Sequence, residues 1–82
     1  MQSNKVKSIE ELKERCFKIP QEIYIDFETH KVNYVVWCNN PGWEILNANN
    51  NKETEYSTDS DLKQNFPTFI DAIDSGNMYY FD

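Results

Sequence analysis

The apolar positions near the start of the chain predict a short amphipathic helix. They recur three and four residues apart, which places them on one helical stripe: Ile9, Leu12, Cys16 and Phe17. Ser8 and Glu11 have the spacing of a capping box, in which each side chain accepts a hydrogen bond from a free amide of the first turn. Pro20 ends the helix, because proline disfavours helical geometry in the residue before it.

After Pro20 the pattern changes to a period of two, which predicts β-strands. Ile23, Ile25 and Phe27 alternate with polar residues, as expected for a strand that is buried on one face. The run at residues 32–38 is apolar on both faces. It therefore predicts a central strand that is covered on two sides.

Two further strands are predicted in the middle of the chain, at residues 43–48 and 53–57. The segment at 39–42, Asn-Asn-Pro-Gly, has the proline and glycine of a type II turn. The polar segment at 49–52 separates the third strand from the fourth, which is expected to be exposed. Connections this short predict hairpins and therefore antiparallel pairing.

A second amphipathic stripe follows, but it contains a proline. The apolar residues of this stripe are Leu62, Phe66, Phe69, Ile70 and Ile73. Because an interior proline removes one hydrogen bond and collides with the preceding turn, Pro67 allows two arrangements. One is a short turn at 60–65 followed by a new helix near Pro67, and the other is a single kinked helix. Gly76 ends the helix, and the aromatic tail at 78–82 packs back as an edge strand or along a groove.

Together these elements predict a single α+β domain that spans residues 1–82. Its antiparallel sheet has three or four strands and is packed by an N-terminal and a C-terminal helix. The predicted core consists of the inward apolar residues of these elements: Leu12, Cys16, Ile23, Ile25, Phe27, Val36, Ile45, Leu62, Phe66, Phe69 and Ile73.

The chain has a formal net charge of −6, and all of it lies in residues 53–82. The first 52 residues carry seven acidic and seven basic side chains, whereas the last thirty carry seven acidic ones and only Lys63 as a base. An acidic half repels nucleic acid and anionic membranes, and it attracts basic protein surfaces. The alternative is an acidic face that only keeps a small protein in solution.

The residue types that carry most catalytic and cofactor chemistry are scarce. His30 is the only histidine and lies in a predicted turn, and Cys16 and Cys38 are the only cysteines. These three side chains do not complete a four-ligand zinc site, and two glycines do not make a phosphate-binding loop. The carboxylates of Asp26 and Glu28 share a strand face and leave acid–base catalysis as an alternative. We expect no enzyme activity, no cofactor and no metal.

The two cysteines and the absence of long apolar segments predict a cytoplasmic protein. Cys16 and Cys38 fall in apolar patterns, so we expect free, reduced and buried thiols rather than a disulfide. The longest uninterrupted apolar run is 34–38, whereas a transmembrane helix needs about 20 apolar residues. The first residues also lack the apolar stretch of a secretory signal.

The acidic second half predicts a protein-binding surface. Glu53 and Glu55 occupy alternate strand positions, which places their carboxylates about 6.8 Å apart, close to the spacing of successive phosphates in a nucleic-acid strand. The predicted contact residues combine acids with aromatic anchors: Glu53, Glu55, Tyr56, Asp59, Asp61, Asp71, Asp74, Tyr79 and Tyr80. Such a row fits a groove lined by lysine and arginine. The predicted partner is therefore a basic protein surface, such as that of a nucleic-acid-processing enzyme, with no direct contact to nucleic acid or membrane.

Small acidic inhibitors carried by phages act in this way, and the chain resembles that class in size and charge alone. The predicted function is a non-enzymatic binding or inhibitor protein, of phage or mobile-element type, whose carboxylates mimic nucleic-acid phosphates. Two alternatives remain. One is an immunity or antitoxin-like protein that caps a toxin, and the other is a small housekeeping domain.

Overall fold

Six strands form one antiparallel sheet in the computed structural model, which describes residues 2–82. In chain order the elements are β1 (Ser3–Lys5), α1 (Ile9–Cys16), β2 (Gln21–Asp26), β3 (Lys31–Cys38), β4 (Trp43–Asn47), β5 (Lys52–Tyr56), α2 (Asp59–Asn65), α3 (Pro67–Asp74) and β6 (Met78–Phe81). The order of strands in the sheet is β1-β6-β2-β3-β4-β5. Strands β2 to β5 follow chain order as a series of hairpins, whereas β6 lies between β1 and β2.

The N-terminal helix forms where the sequence predicts it. Ser8 Oγ accepts a hydrogen bond from the Glu11 amide (3.1 Å), and Glu11 Oε1 accepts one from the Lys7 amide (2.8 Å). These bonds satisfy amides that have no partner within the helix. The helix ends at Cys16, shortly before Lys18, whose φ of 62° does not belong to a right-handed helix.

Pro67 divides the C-terminal stripe into two helices. Helix α2 ends at Asn65 and α3 begins with Pro67 itself, a position that suits proline because an amide there would have no partner in the helix. Phe66, between the helices, has a non-helical φ of −137°. The predicted break followed by a new helix is therefore correct, and the segment before the break is a helix of seven residues rather than a turn.

The core lies between the helices and one face of the sheet. Buried side chains alternate along β2, β3 and β4, and they form one cluster with the inward residues of the helices. Nine of the eleven predicted core residues are buried, and the other two, Phe27 and Phe66, are half-buried and pack against the cluster.

The sheet differs from the prediction in four respects. It has six strands rather than three or four, and the aromatic tail forms the interior strand β6 rather than an edge strand. Val35 and Trp37, on the second face of β3, are half-buried, and no helix within residues 2–82 covers this face. A type II turn with Pro41 and Gly42 at its two central positions would need a positive φ at Gly42, which Gly42 lacks, so the connection at 39–42 is not of this type.

We expect the cost of removing an isoleucine side chain to depend on whether it points into this core. Ile25 is fully buried, whereas Ile19 is 63% exposed. Ile25→Ala should lower the free energy of unfolding by about 2–5 kcal/mol, and Ile19→Ala should change it by less than about 0.5 kcal/mol. Urea denaturation of the two variants measures the difference. Equal effects would contradict the one-sided core.

Cys16 and Cys38 are free and fully buried, as the sequence predicts. Burial raises the pKa of the Cys16 thiol to about 12, so this thiol stays protonated at neutral pH. Because the thiolate is the reactive form, a disulfide reagent such as Ellman's should leave both cysteines unmodified in the native protein and label both in denaturant. Intact mass and absorbance follow the reaction. Rapid labelling without denaturant would refute the burial.

Candidate binding surface

One face of the sheet carries no covering helix within residues 2–82. Successive side chains of a strand point to opposite faces, so the residues between the buried positions lie on the second side of the sheet. We call this side the open face. Its members on β2 to β5 include Glu22, Tyr24, Asn33, Val35, Trp37, Glu44, Leu46, Glu53 and Glu55. The fold leaves this face available to a partner.

One row of the open face places two apolar residues between two glutamates. Val35 of β3 lies opposite Leu46 of β4. The row continues to Glu22 of β2 on one side and to Glu53 of β5 on the other. Because Cβ atoms of cross-strand neighbours are about 4.5–5.5 Å apart, the row brings a carboxylate to each end of an apolar pair.

A second row lies beside the first. Trp37 is opposite Glu44, and Glu44 is opposite Glu55. The two rows define what we call the acidic patch: Glu22, Val35, Trp37, Glu44, Leu46, Glu53 and Glu55. Its three apolar side chains are half-buried and occupy neighbouring positions of β3 and β4, so the patch has apolar side chains bordered by four carboxylates.

Within residues 2–82, no ion pair neutralises the glutamates of the acidic patch. The ion pairs within residues 2–82 are Lys13–Asp59, Arg15–Asp82 and Lys31–Asp26, and none of them includes a residue of the patch. Partial burial, a hydrogen bond with Glu55 and the charges of Glu53 and Glu55 raise the pKa of the Glu44 carboxyl. Like charges on directly opposed strand positions destabilise a sheet. A cation brought to the patch would relieve this repulsion.

The two acids of α2, Asp59 and Asp61, make contacts within the protein and do not form a free acidic surface. Asp59 accepts hydrogen bonds from Lys13 Nζ (2.6 Å) and from Trp43 Nε1 (2.8 Å), and it thereby joins α1, β4 and α2. Asp61 accepts a hydrogen bond from the Ser57 amide (2.8 Å). This bond is the leading cause that lowers the pKa of the Asp61 carboxyl.

Tyr56 is a core residue, which corrects its predicted role as a surface anchor. Only 9% of the side chain is exposed, and its ring stacks on Phe66 with centroids 6.2 Å apart. Asp71 and Asp74 are exposed on α3. Since α3 packs on the covered face, these two acids lie on the opposite side of the sheet from Glu53 and Glu55 and do not extend their row.

The two predicted tyrosine anchors of β6 point to opposite faces of the sheet. Tyr79 lies on the open face, where its ring stacks on Tyr24 at 5.7 Å and its hydroxyl donates a hydrogen bond to Asp26 Oδ1 (3.1 Å). Tyr80 lies on the helix side, with the Arg15 guanidinium 3.6 Å from its ring centre. Tyr79 therefore shares the open face with the acidic patch, whereas Tyr80 does not.

Of the nine predicted contact residues, the structure places three on the open face: Glu53, Glu55 and Tyr79. The other members of the acidic patch were not predicted: Glu22, Val35, Trp37, Glu44 and Leu46. The period of two in β2, β3 and β4 carries a signal for them, because each alternates with a buried neighbour. That signal becomes specific only when the register between strands is known.

Comparison of the chain with protein-family models, curated proteins and solved structures finds no match. Within residues 2–82, no group of three or more histidine, cysteine, aspartate or glutamate side chains is placed to hold a metal ion. None of the helices described in this part of the chain has the length and apolar character needed to cross a membrane.

The contacts of Asp59 predict a substantial, pH-dependent contribution to stability. We expect Asp59→Ala to lower the free energy of unfolding by about 1–2 kcal/mol near neutral pH, because it removes two hydrogen bonds to a partly buried carboxylate. Asp71→Ala is the matched control, since Asp71 is exposed and its loss should cost less than about 0.5 kcal/mol. Equal costs would show that Asp59 does not join the elements.

The pH dependence has a defined sign. Burial opposes the charge of Asp59, but the hydrogen bonds from Lys13 and Trp43 outweigh it and hold the pKa of the carboxyl below its ordinary value. A carboxyl with a lowered pKa in the folded state stabilises the fold above its unfolded pKa, near 4, and loses that contribution as the pH falls through the folded value. The stability difference between the native protein and Asp59→Ala should therefore narrow from about pH 5 downward. Urea titrations at a series of pH values measure it.

Proposed function

We propose that the protein is a non-enzymatic binding protein that uses its open face to occupy a basic surface of a partner protein. The observation that carries this proposal is the acidic patch, in which four glutamates border apolar side chains and form no ion pair with a cation of residues 2–82. A lysine- or arginine-lined surface supplies the missing charge. It also covers the apolar side chains of the patch.

Charge and apolar contact have separate parts in this binding. The net charge of −6 steers a basic partner toward the protein over long distances. Exposed single ion pairs contribute only about 0–1 kcal/mol each, so the half-buried apolar side chains of the patch, of which Trp37 is the largest, are the contacts that slow dissociation. Tryptophan is also among the residues that are most enriched among the contacts that dominate binding energy at interfaces.

A nucleic-acid-processing protein is the partner class that best fits these dimensions. Glu53 and Glu55 point to the same face of β5, with carboxylates about 6.8 Å apart. Their spacing is similar to that of successive phosphates along a nucleic-acid strand. A groove built for that backbone offers cations at a matching interval, so binding of this chain would block access of nucleic acid to the groove.

Reversing charge on the two sides of the molecule tests the proposal. Glu53→Lys/Glu55→Lys changes the open face, and Asp71→Lys/Asp74→Lys makes the same charge change on α3. We expect the first pair to slow association with an oligo-arginine peptide by about tenfold or more at low salt, and the second pair to have a much smaller effect. Stopped-flow fluorescence at several ionic strengths measures both rates.

Comparison of the two variants distinguishes binding through the open face from attraction by net charge alone. If both slow association equally, the acid acts only through net charge, and the proposed surface is wrong. A native association rate that does not change with salt would reject electrostatic steering altogether. Capture of a partner from a cell lysate must depend on the same surface. The native protein and the α3 variant should retain the partner, whereas the open-face variant should not.

A further inference from the structure

The hydrogen bonds between β3 and β4 show which main-chain groups of β5 point away from the sheet. The Asn39 amide donates to the Gly42 carbonyl (3.0 Å), and the Ala48 amide donates to the Asn33 carbonyl (2.9 Å). Main-chain groups of alternate residues in a strand point to opposite neighbours. The even-numbered residues of β4 therefore bond to β3, and its odd-numbered residues bond to β5.

This alternation identifies which residues of β5 have main-chain groups without a strand partner. The odd-numbered residues of β4 pair with Lys52, Thr54 and Tyr56. Glu53 and Glu55 consequently direct their amide and carbonyl groups away from β4. Within residues 2–82, β5 is the last strand on this side of the sheet, and no hydrogen bond from a turn, loop or side chain reaches these groups.

We propose that this edge pairs with an extended basic segment of the partner, which adds a seventh strand next to β5. The inference rests on the proposed function and specifies the form of the basic partner. Lysine or arginine at alternate positions of the segment would lie opposite Glu53 and Glu55 on the open face. Main-chain hydrogen bonds provide affinity in this mode of recognition, and alternate side chains provide specificity.

The charges of the two edges favour such a segment over a second copy of this chain. Two β5 edges brought together would oppose glutamate to glutamate, which destabilises pairing. The other edge strand, β1, has three residues and offers a single cation, Lys5. Charged side chains on an edge also discourage pairing with apolar strands, so the edge is selective for an incoming strand of opposite charge.

Backbone methylation of a peptide distinguishes strand pairing from simple charge attraction. The probe is a short peptide in which lysine alternates with threonine. When its lysines lie opposite Glu53 and Glu55, their amides point toward β5 and the threonine amides point away. N-methylation of the lysine amides should weaken binding by about tenfold or more, whereas N-methylation of the threonine amides is the matched control and should leave binding unchanged. Calorimetry measures the dissociation constants.

Two further measurements locate the contact. Hydrogen exchange of the Glu53 and Glu55 amides should slow when the unmodified peptide binds, because these amides gain acceptors. Glu53→Gln/Glu55→Gln should weaken binding of the peptide, whereas Asp71→Asn/Asp74→Asn, which makes the same charge change, should not. Unchanged exchange at both glutamates would overturn edge pairing.

The results separate this inference from the proposed function. If both methylated peptides bind as well as the unmodified one, edge pairing is wrong. The acidic patch still stands in that case, provided that the open-face charge reversal slows association with oligo-arginine. If neither the unmodified lysine–threonine peptide nor oligo-arginine binds, both proposals are wrong. A dimer of the native chain alone in sedimentation, with slowed exchange at Glu53 and Glu55, would identify a second copy as the occupant and overturn the basic segment.

Discussion

The amount of helix in this small domain limits how its sheet can be covered. Within residues 2–82, three helices of seven or eight residues pack on one face of six strands and leave the other face open. Because side chains alternate along a strand, neighbouring residues of each central strand contribute to the core and to the open face in turn. Val36 is buried in the core and Trp37 lies on the open face; Ile45 is buried and Glu44 borders the acidic patch. The folding core and the proposed binding surface therefore depend on the same strand register.

The elements that could be predicted are those determined by neighbours close in sequence. A capping box, a period of two and the chemistry of proline account for α1, for β2 to β4 and for the start of α3. β1 could not be found in this way, because Ser3–Lys5 contains no apolar residue. The tail has a strand-like composition, but its place between β1 and β2 depends on pairing with residues more than fifty positions away.

The sequence predicts the candidate site less completely. It gives the order of the acidic residues along the chain, whereas a binding surface depends on how the fold arranges them. The acids of residues 53–82 separate into the open face, the internal contacts of α2, the outer side of α3 and the ion pair of Asp82 with Arg15. Asp59, for example, bonds to Lys13 and Trp43. Glu22 and Glu44 come from the half of the chain with no net charge, yet register places them with Glu53 and Glu55.

The position of β6 also constrains how the chain folds during its own synthesis. β6 is the last of the described elements, yet it is the strand that connects β1 to β2. Ribosomes add about 5–20 residues per second, and the most recently added segment stays in the exit tunnel. The meander of β2 to β5 has contacts close in sequence and can pair during this interval. β1, although made before β2, has no neighbouring strand until β6 emerges, so β1 and β6 join the sheet together.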